Sequence, residues 1–288
     1  MTLIDGKKIA NDIKQEVKLE VEDINKKYNV VPKMVIFLVG NNPSSEIYVR
    51  NKVKLSQEIN TITEIIKLPT ETTEDELLAK IKEANEDNKV HGILVQLPLP
   101  KHISEQVVLN YISPNKDVDC FNPYNVGKLW TSSKKDVFLK NCTPMAVIEL
   151  LKRSNISIEG KHAVIIGRSN IVGKPVAGLL LNENATVTIC HSKTTNLKEI
   201  CKTADILVVA IGKAKFIDKS FVKNNAVVID VGINYLENKK ICGDVNFEDV
   251  KDVVSAITPV PGGVGPMTVM MLLKNLIQLT NLWIERNK

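Results

Sequence analysis

A chain of 288 residues, 44% hydrophobic and 25% charged, has the length for two ordinary domains and the composition of a soluble globular protein. The formal net charge of +5 is spread along the chain without a basic block, which argues against a dedicated nucleic-acid binder and fits a small anionic substrate. Five cysteines without a C-x-x-C pair and four scattered histidines make no zinc pattern, the start has no apolar h-region, and no apolar run is long enough to span a bilayer. The expectation is therefore a metal-free, reduced, cytoplasmic protein with no membrane and no nucleic-acid partner.

The pattern along the chain is α/β throughout. A helix is expected from about Gly6 to Tyr28, then a strand at Val35–Val39 ending in Gly40. Asn42-Pro43 opens the next helix, a capping residue followed by proline at the first helical position. A strand over Thr61–Leu68, a helix over Thr73–Asn85 and a strand over His91–Gln96 follow, then a polar loop from Ile112 to Asn125. The charged, hydroxyl-rich stretch 130–141 reads as the linker. These boundaries predict a first domain over 1–138, rejoined by a closing helix at 266–288, and a second domain over 139–265.

The second domain predicts strands at His162–Ile166, Thr186–Cys190, Ile206–Ala210, Val227–Asp230 and Ser255–Thr258. Between the first of these and a helical run from Pro175 lies Gly167-Arg168-Ser169-Asn170-Ile171-Val172-Gly173-Lys174. Strand, glycine turn and helix make an anion cradle, because backbone N–H groups and the positive helix end face one point. Five residues between the glycines, and Pro175 where a magnesium-holding hydroxyl belongs, exclude a P-loop. The turn also departs from G-x-G-x-x-G, so it reads as a variant dinucleotide turn. The strand ending at Cys190 runs into His191-Ser192-Lys193-Thr194 with no acidic residue to hold a ribose 2′-hydroxyl. A hydroxyl, a lysine and Arg168 suit a 2′-phosphate instead, which selects NADP over NAD.

Three features of the first domain carry candidate chemistry. Tyr48 and Lys52 are four apart on one helix face, and a lysine beside an aromatic ring at a strand–helix mouth is a candidate for acid–base work. Tyr-x-x-x-Lys is also the short-chain dehydrogenase pattern, but there the glycine turn precedes the pair, and here it follows. Val95-Gln96-Leu97-Pro98-Leu99-Pro100 aims an amide from a stiff loop. In Asp117-Val118-Asp119, two carboxylates are candidates for a metal or for a heterocycle with N–H donors, or form an ordinary turn.

Taken in order, Tyr48–Lys52, Gly92–Pro100, Lys116–Asp119, Cys142–Pro144, Gly167–Pro175, Cys190–Thr194 and Pro259–Thr268 resemble the bifunctional methylenetetrahydrofolate dehydrogenase/cyclohydrolase family over nearly the whole chain. The resemblance implies two α/β domains with a cleft between them, the second a Rossmann-like NADP-binding domain, and a homodimer. It implies NADP-dependent oxidation of 5,10-methylenetetrahydrofolate and hydrolysis of the methenyl product to 10-formyltetrahydrofolate. Lys52, Gln96 and Tyr48 then become the catalytic set. Tyr48, Gln96, Leu97, Pro98, Asp119, Pro261, Gly262 and Gly263 would bind the folate. Gly167, Arg168, Ser169, Val172, Gly173, Pro175, His191, Ser192, Thr194 and Ile233 would bind NADP. One departure stands out: the family usually has glycine after Asp-Val-Asp, and this chain has Cys120. The alternatives are a monofunctional NADP dehydrogenase of another small anionic substrate, and a catalytically silent folate- or nucleotide-binding regulator.

Overall fold

The computed structural model describes residues 1–132, 139–236 and 240–288. These form two compact units. One comprises 12–128, 139–140 and 272–288; the other comprises 1–11, 129–132, 141–236 and 240–271.

The chain opens with β1 (Thr2–Leu3) and α1 (Gly6–Tyr28). In α1, Ile13, Val17, Val21 and Ile24 recur at helical spacing and are buried, while the intervening residues are mostly charged. β2 (Lys33–Val39), α2 (Pro43–Glu58), β3 (Ile62–Leu68), α3 (Glu74–Glu86) and β4 (Gly92–Val95) follow. Asn42 caps α2 by accepting the Ser45 amide, and Thr73 with Glu76 forms a capping box at α3. The three strands make a parallel sheet in the order β3-β2-β4. Central β2 is buried from Met34 on, as expected of a strand covered on both faces. Its Val35, Phe37 and Val39 pack with Ile93 and Val95 of β4 and Leu77 and Ile81 of α3.

Two short helices then appear, α4 (Glu105–Tyr111) and α5 (Pro123–Thr131). The expected polar loop therefore ends earlier than Asn125, because Asn122 caps α5 through the Tyr124 amide. Trp130 belongs to α5 rather than to a linker, and the expected linker's residues 133–138 lie outside the described residues.

The second unit continues with α6 (Cys142–Arg153), β5 (His162–Ile166), α7 (Gly173–Asn182), β6 (Thr186–Cys190), α8 (Leu197–Cys201), β7 (Ile206–Val209), β8 (Val227–Asp230), the short antiparallel pair β9 (Asn234–Tyr235) and β10 (Ile241–Cys242), α9 (Phe247–Val250) and β11 (Ala256–Ile257). The strands other than β9 and β10 join β1 in the second sheet. Its order is β1-β11-β8-β7-β5-β6, parallel throughout. The strand positions match the hydrophobic runs. The unforeseen member is β1, whose Thr2 and Leu3 pair with Ala256 and Ile257. Two residues are too few to carry a period-2 signal. The closing helix α10 spans Val264–Arg286, its first part clustering with the six-stranded unit and Leu272 onward with the three-stranded unit.

Candidate active site

In the three-stranded unit, the strand β4 and the helix α2 bring two candidates together. The Gln96 amide N–H continues the β2–β4 pairing by donating to the Phe37 carbonyl at 2.9 Å. Its side chain accepts from Lys52 Nζ at 2.8 Å and donates from Nε2 to the Leu97 carbonyl at 2.7 Å. Lys52 is half-buried, and Tyr48, one turn earlier on α2, is 37% exposed. The amine is thus held at a fixed place by an amide that is itself fixed by its own backbone. The Leu97-Pro98 peptide bond is cis.

The Asp119 loop is hung on the same strand. Ile93 donates to the Lys116 carbonyl at 2.6 Å, and Ile93 and Asp117 form a parallel bridge. Asn275 of α10 donates to the Val118 carbonyl at 2.8 Å. Gly92 permits this approach: a Cβ there would collide with the Val118 and Leu276 side chains. The two aspartates have different environments. Asp117 is buried and accepts from the Asn122 amide at 2.8 Å and Asn125 Nδ2 at 3.1 Å, so it organises its own loop. Burial pushes its carboxyl up to about 6 against those two hydrogen bonds. Asp119 is half-buried. Cys120 is fully buried with φ 60, in the left-handed region that favours glycine, and its thiol donates to the Leu139 carbonyl at 3.3 Å. Burial and then the Asp117 charge raise the thiol's pKa.

Two other buried polar groups in this unit hold structure. Lys116 Nζ donates to the carbonyls of Ala84 and Asp87 at 3.0 and 2.7 Å, closing the C-terminal end of α3. His91 Nδ1 accepts the Lys33 amide, burial drives its pKa down to about 4, and its ring meets Trp283 edge-on at 5.0 Å.

The six-stranded unit holds a cavity of about 280 Å³ lined by Ile166, Gly167, Arg168, His191, Ser192, Leu197, Ala210, Ile211, Lys213 and Phe216. Three successive parallel strands, β5, β6 and β7, end on it, the arrangement in which doubly wound sheets bind ligands. Apolar walls, two cations and no carboxylate among the lining residues fit part of a phosphorylated nucleotide. Gly167 has φ 132, and a Cβ on Gly173 would run into the Gly167 carbonyl and the Arg168 amide. Gly173 therefore lets the first turn of α7 lie against the end of β5, and Gly167 leaves room for the Ala210 carbonyl. Ser169 Oγ accepts the amides of Val172 and Gly173 at 3.2 and 3.3 Å, so the turn caps its own helix. Thr194 Oγ1 accepts the His191 amide at 2.8 Å and fixes the loop after β6.

The remaining expected residues lie elsewhere. Val172, Gly173 and Thr194 support the cavity's loops without lining it, and Pro175 is buried in the first turn of α7. Ile233 is exposed and stands about 3.8 Å from where a Cβ on Gly265 would be. Pro261, Gly262 and Gly263 belong to the six-stranded unit, and the other expected folate residues belong to the three-stranded unit. The Gly262 carbonyl accepts the Lys7 amide at 3.1 Å, and Gly6 leaves room for the Gly263 carbonyl.

Sequence reasoning missed Ile166, Leu197, Ala210, Ile211, Lys213 and Phe216 as cavity residues. The available signal was position: Ile211-Gly212-Lys213 follows the end of the third parallel strand. It also missed Asp230 and Asp244. Asp244, fully buried, accepts the amides of Ile211, Gly212 and Lys213. Asp230 accepts the amides of Gly232, Asp244 and Val245, yet burial raises its carboxyl to about 7. Among the described residues no group of acidic, histidine and cysteine side chains is arranged to hold a metal ion, and no helix is long and apolar enough to cross a membrane.

Comparison with known proteins accounts for both units. Residues 4–119 match the model of the tetrahydrofolate dehydrogenase/cyclohydrolase catalytic domain, and residues 141–283 that of the tetrahydrofolate dehydrogenase/cyclohydrolase NAD(P)-binding domain. The bifunctional protein FolD of Acetivibrio thermocellus is 55% identical over 280 residues, covering 97% of each chain. The crystal structure of the bifunctional FolD methylenetetrahydrofolate dehydrogenase/cyclohydrolase of Campylobacter jejuni superposes with a TM-score of 0.94 at 47% identity, over 98% of this chain and 99% of that one. The Trypanosoma brucei methylenetetrahydrofolate dehydrogenase-cyclohydrolase, solved with NADP and an inhibitor, gives a TM-score of 0.94 at 37% identity over 99% and 98% of the two chains.

Proposed function

The chain belongs to the tetrahydrofolate dehydrogenase/cyclohydrolase family, and from that premise we infer that it oxidises 5,10-methylenetetrahydrofolate with NADP and hydrolyses the methenyl product to 10-formyltetrahydrofolate. The observation that carries this reading is the Lys52 Nζ–Gln96 Oε1 hydrogen bond at 2.8 Å, an amine held in place beside a glutamine at a strand end.

The two reactions ask different things of the protein. In the oxidation, hydride leaves a carbon that lies between two nitrogens, and the cation left behind is stabilised by both. No hydroxyl proton has to be removed, so this step needs placement more than a base. Bound NADP supplies the hydride acceptor. In the hydrolysis, water adds to the methenyl carbon and must lose a proton. The bond from that carbon to N5 then breaks as N5 takes a proton and the new hydroxyl gives one up, leaving the formyl group on N10. Those proton movements call for an acid–base group, and Lys52 is that group. Gln96 fixes the amine's direction. Tyr48 offers a ring face to the flat pterin, and Asp119 accepts its N–H donors. Leu97 and Pro98 wall the same unit's site, and a folate role for Pro261, Gly262 and Gly263 rests on the family resemblance alone.

Arg168 and Ser192 take the 2′-phosphate in this reading, with His191 and Thr194 shaping the loop. Gly167, Ser169, Val172, Gly173 and Pro175 form the turn under the cofactor, and Ile233 adds an apolar contact. The folate unit is proposed as 12–128 with the end of α10, and the NADP unit as 141–271 with the N-terminal strand. A homodimer rests on the family resemblance alone and a cytoplasmic location on the sequence reading, and light scattering on the purified protein reads the first.

One assay tests the reading. Enzyme, NADP and methylenetetrahydrofolate are mixed, and NADPH and methenyl absorbance are followed together. NADPH appearing while methenyl rises and then decays faster than without enzyme is the expected result. NADPH without accelerated decay would leave a monofunctional dehydrogenase, no NADPH would leave a silent binder, and equal use of NAD would remove the 2′-phosphate argument.

A further inference from the structure

The cavity of the six-stranded unit has a second cation that the glycine turn does not announce. Arg168 follows β5, His191 and Ser192 follow β6, and Lys213 follows β7, so each of three neighbouring strand ends delivers a polar group to one space. No carboxylate lines that space to neutralise the two charges. Lys213 is exposed, and its Nζ lies 5.4 Å from the centre of the Phe216 ring, another lining residue.

The root of Lys213 is held with unusual firmness for a loop. The carboxylate of Asp244 accepts three consecutive amides, Ile211 at 2.7 Å, Gly212 at 2.9 Å and Lys213 at 2.8 Å, and also Asn234 Nδ2 at 2.9 Å. Gly212, at φ 64, gives the curvature that turns all three amides to one side. This is an anion nest filled by the protein's own carboxylate. Asp244 is in turn fixed through its amide, which donates to Asp230 at 3.0 Å. The lysine is therefore anchored at its backbone and mobile only in its side chain, which reduces the freedom it loses on meeting an anion.

We propose that Lys213 is a specificity-determining residue that pairs with Arg168 on the adenosine 2′-phosphate, with Asp244 as the positioning residue that holds it at the cavity. A phosphate with about two negative charges gains from a second cation, and two cations from different strand ends grip it from two directions. An adenosine ribose without the phosphate gains nothing from Lys213. The proposal rests on the NADP reading above.

Its test reads binding without turnover. Adenosine 2′,5′-bisphosphate and adenosine 5′-monophosphate are titrated by calorimetry into the wild type, Lys213→Met and Lys213→Arg, at low and high salt. The expected result is that Lys213→Met weakens the bisphosphate by about tenfold, the scale of one charge-assisted contact. The monophosphate should change by less than about twofold, and the bisphosphate's salt dependence should become shallower. Lys213→Arg should recover most of the loss, which a merely structural role would not produce. Equal weakening of both ligands, or no weakening of either, overturns the role of Lys213. If the wild type itself does not prefer the bisphosphate over the monophosphate, the NADP reading fails as well. If it does prefer it and Lys213→Met keeps the whole preference, only the present inference fails.

Discussion

The site on the three-stranded sheet is made of side chains, and the site on the six-stranded sheet is made mostly of backbone. In the first, Lys52 and Gln96 meet across 44 residues of chain through their functional groups. In the second, the glycine turn, the Ser169 cap and the Asp244-filled nest fix main-chain amides, and Arg168, Ser192 and Lys213 are added at the ends. In the proposed reading the difference follows from the two tasks. Proton transfer needs one titrating atom at one place. Holding an extended cofactor needs loops of fixed shape beneath it. Substitutions in the first region should therefore separate the two activities, and substitutions in the second should weaken cofactor use as a whole.

The largest expected effect is at Lys52. Lys52→Met keeps most of the apolar stem and deletes the amine. Cyclohydrolase activity should fall by roughly 10²–10⁴-fold, the range of general acid–base groups, while dehydrogenase activity persists and methenyl product accumulates. Following methenyl formation and decay in one cuvette checks this. Equal collapse of both activities would make Lys52 a folate-binding group, and two near-normal activities would make it a solvated helix lysine.

Gly173→Ala probes the backbone side of the comparison. Its Cβ must displace the Gly167 carbonyl or the Arg168 amide, and neither is a flexible side-chain end. A cost of about 1–3 kcal/mol is expected. A shifted turn should raise the NADP requirement by roughly tenfold or more, since every ~1.4 kcal/mol is a decade. Cyclohydrolase activity assayed on supplied methenyltetrahydrofolate should change far less. Loss of both activities in a folded variant would mean that the two regions are not separable in this way.

Each region also keeps one buried carboxyl with a raised pKa, Asp117 at about 6 and Asp230 at about 7, and burial is the main cause in both. The folded state holds these protons after the unfolded chain has released them near the ordinary aspartate value of 3.8. The stabilisation is thus fully present below that value. It declines as pH rises, and the loss is complete near 6 for Asp117 and near 7 for Asp230. Asp230→Asn should flatten the fall of melting temperature between pH 5 and 8. It should also lower stability overall by about 1–3 kcal/mol, because one of three amides loses its acceptor. Scanning calorimetry at several pH values reads both. An unchanged pH slope would show that Asp230 does not titrate in that window.

The smallest effect is expected at Cys120. Cys120→Gly relieves a left-handed backbone at a residue with a Cβ, a gain of about 1 kcal/mol. It also removes a buried thiol bonded to Leu139, a loss of similar size. Stability should move by no more than about 1 kcal/mol, and both activities should stay within about twofold. A large loss of folate affinity would show that this side chain sets the position of Asp119.

Local physics made much of this molecule readable before any coordinates. The helical repeat of Ile13, Val17, Val21 and Ile24, the caps at Asn42 and Thr73, and the apolar runs of β5 to β8 are short-range signals, and each element formed where those signals place it. The glycine turn was legible in part for the same reason: Gly173 makes room for the Gly167 carbonyl within seven residues, whereas Gly167 makes room for the Ala210 carbonyl of a distant segment. Tertiary structure alone decided the partners. Nothing near Lys52 in sequence specifies Gln96. Nothing in Asp117-Val118-Asp119 says that the first carboxylate will serve its own loop while the second stays half-buried. That Thr2–Leu3 completes a sheet edge, and that Asp244 fills the nest behind Lys213, are settled by chain segments roughly thirty to two hundred and fifty residues apart. The physical reason is that propensity, capping and periodicity act over a few bonds, whereas burial and hydrogen-bond choice depend on which distant segments the packed core brings into contact.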